Sequence, residues 1–157
     1  FFEINFYNQM KKIIDSIKED LKDSIKKQDN VKKSVYRFIL SAIHNEEIKL
    51  GKELGEDEVL KLLIKQAQQR KDSIEAFEKA NRDDLVQKES QELEIISQFL
   101  PEQVSEEKIK ELAAKANSDT KAQAVKDLGK VMPLLMKQLG GKAEGKIVNK
   151  IVMELLN

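Results

Sequence analysis

The residues best suited to specific chemistry in this 157-residue sequence are lysines near its C-terminal end. Lys142, Lys146 and Lys150 recur every four residues, which predicts that they form one edge of a helix. Before them, Gly140 and Gly141 can adopt the positive φ that helix C-caps favour, and their backbone N–H groups could also meet an anion. The pattern is typical of a phosphate-binding surface, but an ordinary solvated helix face with a C-cap has the same pattern.

Positive charge is concentrated in the same region. The whole chain has 28 Lys+Arg and 28 Asp+Glu, so its formal net charge is zero. Residues 120–157 contain seven lysines and three acidic residues, a local excess of four positive charges. Such an excess permits weak contact with nucleic acid and does not require it.

Few residues elsewhere could support catalysis or hold a metal ion. The sequence has no cysteine and one histidine, His44, which excludes disulfides and thiolate metal sites and disfavours a histidine-based zinc site. We interpret His44 as a partly buried packing residue, because no carboxylate–His–nucleophile set accompanies it. The acidic run Glu56–Glu58 could hold a metal, but its place at a predicted helix start favours capping. We therefore expect no catalytic residue, metal site or cofactor.

Hydrophobic periodicity predicts an all-α fold. In the first hundred residues, apolar side chains recur at helical spacing over residues 6–25, 31–50, 56–80 and 85–99. The second of these helices has a main apolar stripe that includes Phe38 and a second stripe with Leu40 and Ile48, so neighbours on both sides are expected. No segment alternates with period two for long enough to predict a strand.

Pro101 marks the expected boundary between two domains, since proline disfavours helix in the residue before it. We predict an N-terminal four-helix domain over residues 1–100 and a small three-helix C-terminal domain over residues 101–157. In the second domain, Ser105 is expected to cap a helix over residues 106–116.

The rest of the C-terminal domain is predicted from capping signals. Residues 117–120 are expected to form a loop, Asp127 to cap the next helix, and the last helix to run from about Glu144 to Asn157. Pro133 lies inside the middle helix, where a missing N–H predicts a kink or an irregular first turn.

Membrane insertion is not expected, because no apolar run approaches the roughly 20 residues of a membrane span. The sequence begins Phe1-Phe2 without an initiator methionine, which indicates a trimmed or processed product. We expect a cytoplasmic location, or a mitochondrion or plastid if a targeting segment has been removed.

Several segments resemble the signature segments of the YqeY-like proteins, in order along nearly the whole chain. Those of the N-terminal part are Ala42–Ile48, Gln69–Ile74, Phe77–Leu85 and Phe99–Val104. Those of the C-terminal part, Gly129–Met132, Gly141–Gly145 and Val148-Asn149, resemble the end that this GatB/YqeY family shares with the tail of the B subunit of glutamyl-tRNA(Gln)/aspartyl-tRNA(Asn) amidotransferase. Two departures are Glu144, where the family usually has Asp, and Pro133, where a helix former is common.

The resemblance implies a helical fold and a non-catalytic role. In the amidotransferase, the tail module touches the transfer RNA body and does no chemistry. The expected function is therefore a tRNA-binding or accessory protein, linked by family to tRNA-dependent amidation with glutamine as amido donor. The implied partners are tRNA and an amidotransferase or another translation component. The family label carries carbon–nitrogen ligase activity, but no catalytic set is visible in this chain.

The resemblance also indicates which residues would contact RNA. The candidates are Lys130, Gly141, Lys142, Lys146, Asn149 and Lys150. The lysines would contact phosphates, Gly141 would let the backbone approach an oxygen, and Asn149 would brace the turn or donate to sugar or phosphate. Arg70 and Arg82 also lie in signature segments, but their acidic neighbours favour ion pairs within the protein.

Two other functions stay open at this point. An enzyme that itself transfers ammonia to a carboxyl group would need an activated nucleophile, an oxyanion site and a phosphate-binding loop, and the sequence contains no recognisable set of these. A helical scaffold for another protein would use the second apolar stripe of helix two as its interface, and its lysines would be incidental.

Overall fold

The computed structural model describes residues 12–157, and all regular secondary structure in that range is helical. Two compact units meet in sequence between Leu100 and Pro101. The first contains α1 Ile13–Lys26, α2 Asn30–Leu50, α3 Glu56–Lys79 and α4 Asp83–Ser97. The second contains α5 Glu106–Thr120, a 3-10 turn Val125–Asp127, α6 Leu128–Leu139 and α7 Gly145–Leu156. The predicted all-α class is confirmed; residues 6–11 of the first predicted helix lie outside the described residues.

Short polar signals set the helix ends of the first unit. The Asp29 carboxylate accepts a hydrogen bond from the Lys32 N–H at 3.0 Å and caps the start of α2, and Gly51 ends this helix with a φ of +68°. At the start of α3, the Glu58 carboxylate accepts from the Gly55 N–H at 2.9 Å. The acidic run at this point therefore has the capping role that its position predicts.

The apolar faces of α1 to α4 form one core. Helix α3 packs along α4, and α1 packs along α2. The fully buried side chains are Ile17, Ile39, Val59, Leu63 and Ile96. The ring of Tyr36 packs edge-on against Phe99, with centroids 6.0 Å apart, and this contact ties α2 to the segment after α4.

The predicted burial of α2 is partly wrong. Phe38 is 48% exposed instead of belonging to the core, because it lies one residue, or 100°, around the helix from fully buried Ile39. Of the second stripe, Leu40 packs against the core but Ile48 is 65% exposed. His44 is exposed instead of partly buried. Part of α2 therefore presents apolar side chains to solvent.

The second unit has a core of its own, built from α5, α6 and α7. Its most deeply buried side chains are Ala113, Ala116, Val131, Leu135, Val148 and Val152. Ser105 caps α5 as predicted, since its hydroxyl accepts from the Lys108 N–H at 3.2 Å.

Helix α5 is one turn longer than predicted, since it continues through residues 117–120. Ala116 is 1% exposed, and the Thr120 hydroxyl donates to the Ala116 carbonyl at 2.7 Å. Packing and this hydrogen bond outweigh the low helix propensity of the run Asn-Ser-Asp-Thr. Lys121 then ends the helix with a left-handed φ of +54°.

Helix α6 passes through Pro133 without a break, and the irregular turn lies upstream as the 3-10 turn. Pro133 cannot donate to the Gly129 carbonyl, but Gly129 is exposed, so water can reach that group. Asp127 is the N-cap residue of α6, but the prediction that its side chain caps this helix is wrong, because its carboxylate accepts from the Gln123 N–H at 3.0 Å instead.

Candidate nucleic-acid interface

A glycine turn joins α6 to α7 and carries the first candidate residues. Gly140 and Gly141 have φ values of +53° and +84°, the left-handed conformations predicted for them. The Gly140 N–H donates to the Met136 carbonyl at 3.1 Å, and the Lys142 N–H donates to the Leu139 carbonyl at 2.9 Å. These two N–H groups close the end of α6, so of the two glycine N–H groups that of Gly140 is already bound within the protein.

The carbonyl groups of the same turn are bound by the segment that opens the second unit. Gln103 Nε2 donates to the Gly141 carbonyl at 3.1 Å, and the Val104 N–H donates to the Lys142 carbonyl at 2.8 Å. We call these two hydrogen bonds the clamp. Together with the Lys142 N–H bond, they fix the backbone that carries the Lys142 side chain. Sequence reasoning missed the clamp, although it marked this segment as a domain boundary and as part of a YqeY-like signature segment.

Three of the four candidate lysines lie on the turn and on the helix that follows. Lys142 belongs to the turn and not to the helical row that its spacing predicts, because α7 begins only at Gly145. Lys146 and Lys150 lie four residues apart in α7, and all three lysines are exposed. Asn149 is partly exposed and follows Lys146 by three residues, a spacing that makes helix side chains neighbours. We call Lys142, Lys146 and Lys150 the basic segment.

Helix α7 begins without a side-chain cap. Glu144, its N-cap residue, makes no capping hydrogen bond through its side chain, and the Val148 N–H donates to the Glu144 carbonyl at 3.0 Å. As at any helix start, the N–H groups of the first turn have no partner within the helix and carry the positive end of its dipole. The potential of this helix end adds to that of Lys142 and Lys146.

Lys130 lies apart from the basic segment. It is in the first turn of α6, and the rise along that helix from Lys130 to Gly140 is about 15 Å. Its Nζ is 3.4 Å from Asp127 Oδ1. A hydrogen bond from the Gln123 N–H, and the Lys130 ammonium with it, hold the pKa of Asp127 below its ordinary range. Asp127 therefore stays ionised at neutral pH and offsets part of the Lys130 charge.

The sequence of this helical protein matches a known family. The model of the Yqey-like protein family matches residues 14–156, nearly the whole chain. The chain belongs to the YqeY-like family. A Candida glabrata protein named "Altered inheritance of mitochondria protein 41, mitochondrial" is 35% identical over 144 residues, which cover 88% of this chain and 74% of that protein.

Proteins of the same name from other yeasts match a shorter part. The one from Lachancea thermotolerans is 45% identical over 86 residues, which cover 54% of this chain and 46% of that protein. The one from Clavispora lusitaniae is 41% identical over 101 residues, which cover 63% of this chain and 59% of that protein. These two matches thus span about half of the length of each relative.

Two arginines within the YqeY-like signature segments form ion pairs inside the protein. Arg70 Nη1 is 3.0 Å from Glu89 Oε2, and Arg70 Nη2 is 3.0 Å from Glu92 Oε2. Arg82 donates two hydrogen bonds to the Asp84 carboxylate, at 3.0 and 2.9 Å. Both arginines therefore pair within the protein, as expected, although Arg70 reaches across to α4 instead of pairing with its neighbour in sequence.

Neither a metal-binding cluster nor a membrane-spanning helix is found within residues 12–157 of this YqeY-like chain. No group of three or more His, Cys, Asp or Glu side chains in that range is arranged to hold a metal ion. None of its helices combines the length and the apolar character needed to cross a membrane.

Proposed function

We propose that this YqeY-like protein is a non-catalytic accessory protein that binds transfer RNA through its basic segment. The observation that carries the proposal is the exposure of Lys142, Lys146 and Lys150 next to a glycine turn whose backbone is fixed by the clamp. Because the backbone is already fixed, only the Lys142 side chain has to be ordered on binding. Phosphate contacts need charge and position but no base-reading groups, so binding with little sequence preference is expected.

Lys130 has a smaller part in this proposal than the other lysines. It lies in the first turn of α6, at the far end of that helix from the glycine turn. Three phosphate contacts give a slope of log affinity against log salt of about −3, and a fourth would make it steeper by about one. The slope therefore tells whether Lys130 joins the contact.

The test is filter binding of total transfer RNA across a salt series. We expect Lys142→Glu/Lys146→Glu/Lys150→Glu to lose most affinity and to flatten the salt slope. The matched control is Lys61→Glu/Lys65→Glu/Lys88→Glu, which makes the same charge change at exposed lysines of the first unit. Equal binding by wild type and the first variant, or equal loss in both variants, would refute the proposal.

The place of this protein in translation is also a proposal. Its likeness to the tail of the amidotransferase B subunit suggests a role beside tRNA-dependent amidation with glutamine as amido donor, where another protein does the chemistry. Because the yeast relatives are named as mitochondrial, we place this role in mitochondria. Pure protein incubated with glutamine, ATP and acylated tRNA is expected to form no amide product.

A second candidate function is a protein–protein adaptor. The observation in its favour is the exposure of Phe38 and Ile48 on α2, at 48% and 65%. In that case Ile48→Ser would abolish capture of a protein partner, and the lysine variant would capture it as well as the wild type does. The tRNA-binding function predicts that the lysine variant loses its ligand, whereas the adaptor function predicts that Ile48→Ser loses its protein partner and the lysine variant does not.

A further inference from the structure

One of the two hydrogen bonds of the clamp comes from a side chain, that of Gln103. Its amide Nε2 donates to the Gly141 carbonyl at 3.1 Å and to the Pro101 carbonyl at 3.4 Å. A single amide therefore joins the segment that opens the second unit to the glycine turn. The other bond of the clamp, from the Val104 N–H to the Lys142 carbonyl, is between backbone groups. Gln103 is thus the position at which a substitution can weaken the clamp and leave the backbone groups in place.

The hydrogen bonds of the turn hold both peptide groups next to the Lys142 Cα atom. In the peptide group before it, Gln103 binds the Gly141 carbonyl. The N–H of the same peptide group donates to the Leu139 carbonyl at 2.9 Å. In the peptide group after it, the carbonyl accepts from the Val104 N–H at 2.8 Å. Because peptide groups are planar, holding both of them fixes φ and ψ of Lys142 and the direction of its side chain.

The turn needs such a hold because two glycines precede Lys142. Gly140 and Gly141 lack a Cβ atom, so their backbone has more accessible conformations than that of any other residue type. Gly141 has a φ of +84°, and its carbonyl belongs to the peptide group that carries the Lys142 N–H. Without the Gln103 amide, that peptide group would be held through its N–H alone. Rotation about the glycine backbone bonds would then move Lys142.

The neighbours of Gln103 in sequence keep it in place. Pro101 has a φ restricted by its ring. The Val104 side chain packs against the core of the second unit, and the Ser105 hydroxyl accepts from the Lys108 N–H at the start of α5. The amide thus reaches the turn from a segment that is ordered before any ligand binds, which lowers the cost of binding.

We propose that Gln103 is a positioning residue for tRNA binding, which acts through Lys142 and does not itself contact RNA. This inference rests on the proposed function of the basic segment. Without the amide, binding must order the turn again, at a cost that corresponds to a roughly threefold to tenfold loss of affinity. The lysines are unchanged, so the slope of log affinity against log salt stays at about −3.

The test is filter binding of total transfer RNA to variants of the full chain. Gln103→Met keeps the length of the side chain and removes its donor. We expect it to lower the affinity of the wild type but to have less than about a twofold effect in Lys142→Gln, where the lysine through which it acts is absent. In Lys150→Gln, which changes a lysine of α7 outside the clamp, it should keep its full effect. The matched control is Gln123→Met, which changes another exposed glutamine of the second unit and should leave the affinity unchanged.

Amide hydrogen exchange of the free protein measures the hold on the turn without RNA. In Gln103→Met, the Val104 and Lys142 amides should exchange roughly threefold to tenfold faster than in the wild type, because the turn opens more often. The amide of Val152, within α7, should exchange at its wild-type rate. This second measurement separates a local effect on the turn from a loss of stability of the whole unit.

Two results would overturn the positioning role while the wild type binds transfer RNA. One is an equal effect of Gln103→Met in the wild type, in Lys142→Gln and in Lys150→Gln. The other is unchanged exchange at Val104 and Lys142. Absence of binding by the wild type would instead refute the proposed function, and with it the role of Gln103 in binding, whatever the exchange rates show.

Discussion

Arg70 makes two ion pairs and a contact with an aromatic ring in the first unit. Its guanidinium bonds to Glu89 and Glu92 and lies 5.4 Å from the ring centroid of Phe38. The three charged side chains are 13% to 21% exposed, and Arg70 Nε is buried without a hydrogen-bond partner. A methionine at this position would cover the same apolar surface but would leave two carboxylates largely buried and unpaired.

We therefore expect Arg70→Met to lower the free energy of unfolding by about 2–3 kcal/mol. The matched control is Arg82→Met, because the Arg82–Asp84 pair has the same chemistry at 55% and 64% exposure. Exposed pairs contribute less than about 1 kcal/mol, so this second variant should unfold nearly as the wild type does. Urea unfolding followed by circular dichroism measures both, and equal losses would contradict the assigned role of Arg70.

The ion pairs of Arg70 and Arg82 show how far the partner of a charged residue can be predicted from sequence. That Arg70 and Arg82 form ion pairs within the protein could be predicted from their acidic surroundings. For Arg82 the partner is two residues away, within local reach. Of the two acceptors of Arg70, Glu89 is the nearer in sequence, and it is nineteen residues away. It comes close in space only because α3 and α4 pack side by side. No local pattern encodes that choice.

At the scale of elements, two glycines near the ends of α6 adopt different backbone conformations. Gly140 ends the helix with φ at +53°, and Gly129 lies inside it without a positive φ. A Cβ atom added at either position meets nothing within 4 Å. The difference between them is therefore one of backbone conformation alone.

We expect Gly140→Ala to destabilise the protein by about 1 kcal/mol, because alanine is strained in the left-handed region. Gly129→Ala should stabilise it by about 0.5–1 kcal/mol, because alanine loses less backbone freedom in a helix. Thermal melting of the two variants gives the comparison. Changes of the same sign would show that contacts, and not φ, decide the effect.

Helix positions could be predicted because a packed helix repeats its buried face every 3.6 residues, and capping residues mark its ends. The extension of α5 could not, since propensity opposes it and the hydrogen bond from the Thr120 hydroxyl to the Ala116 carbonyl cannot be read from a sequence pattern. The clamp could not either, because Gln103 and Gly141 are 38 residues apart. Lys142 lies outside its expected row for a different reason: the four-residue spacing suggested a row of three, but the helix starts at Gly145, close to the start predicted near Glu144, and so after Lys142.

At the scale of the whole molecule, the two hydrophobic clusters share no residue. One is formed within residues 13–100 and the other within residues 104–156. A cavity lined by Asp20, Tyr36 and Gln98, among others, lies in the first unit. It could not be foreseen from sequence, because three separate segments line it. The excess of lysine over acidic residues in residues 120–157 of the second unit could be counted directly from the sequence.

We expect a fragment of residues 101–157 to fold alone, because all side chains of its core lie within it. Domains of this size are marginal, with roughly 3–5 kcal/mol of stability, so a broad but cooperative melt by circular dichroism is the expected result. The fragment should also retain the tRNA affinity of the full chain. A disordered spectrum at low temperature would mean that the second unit depends on the first.

The clamp also has a mechanical consequence. The backbone enters the second unit at Pro101 and within a few residues is fastened to the carbonyl groups of Gly141 and Lys142. A tension applied to the chain at Pro101 is therefore borne first by these two hydrogen bonds and reaches α5 only if they break. The point where force enters the unit coincides with the turn that orients Lys142, so a pull on the connecting chain would disturb that lysine before it disturbed the core.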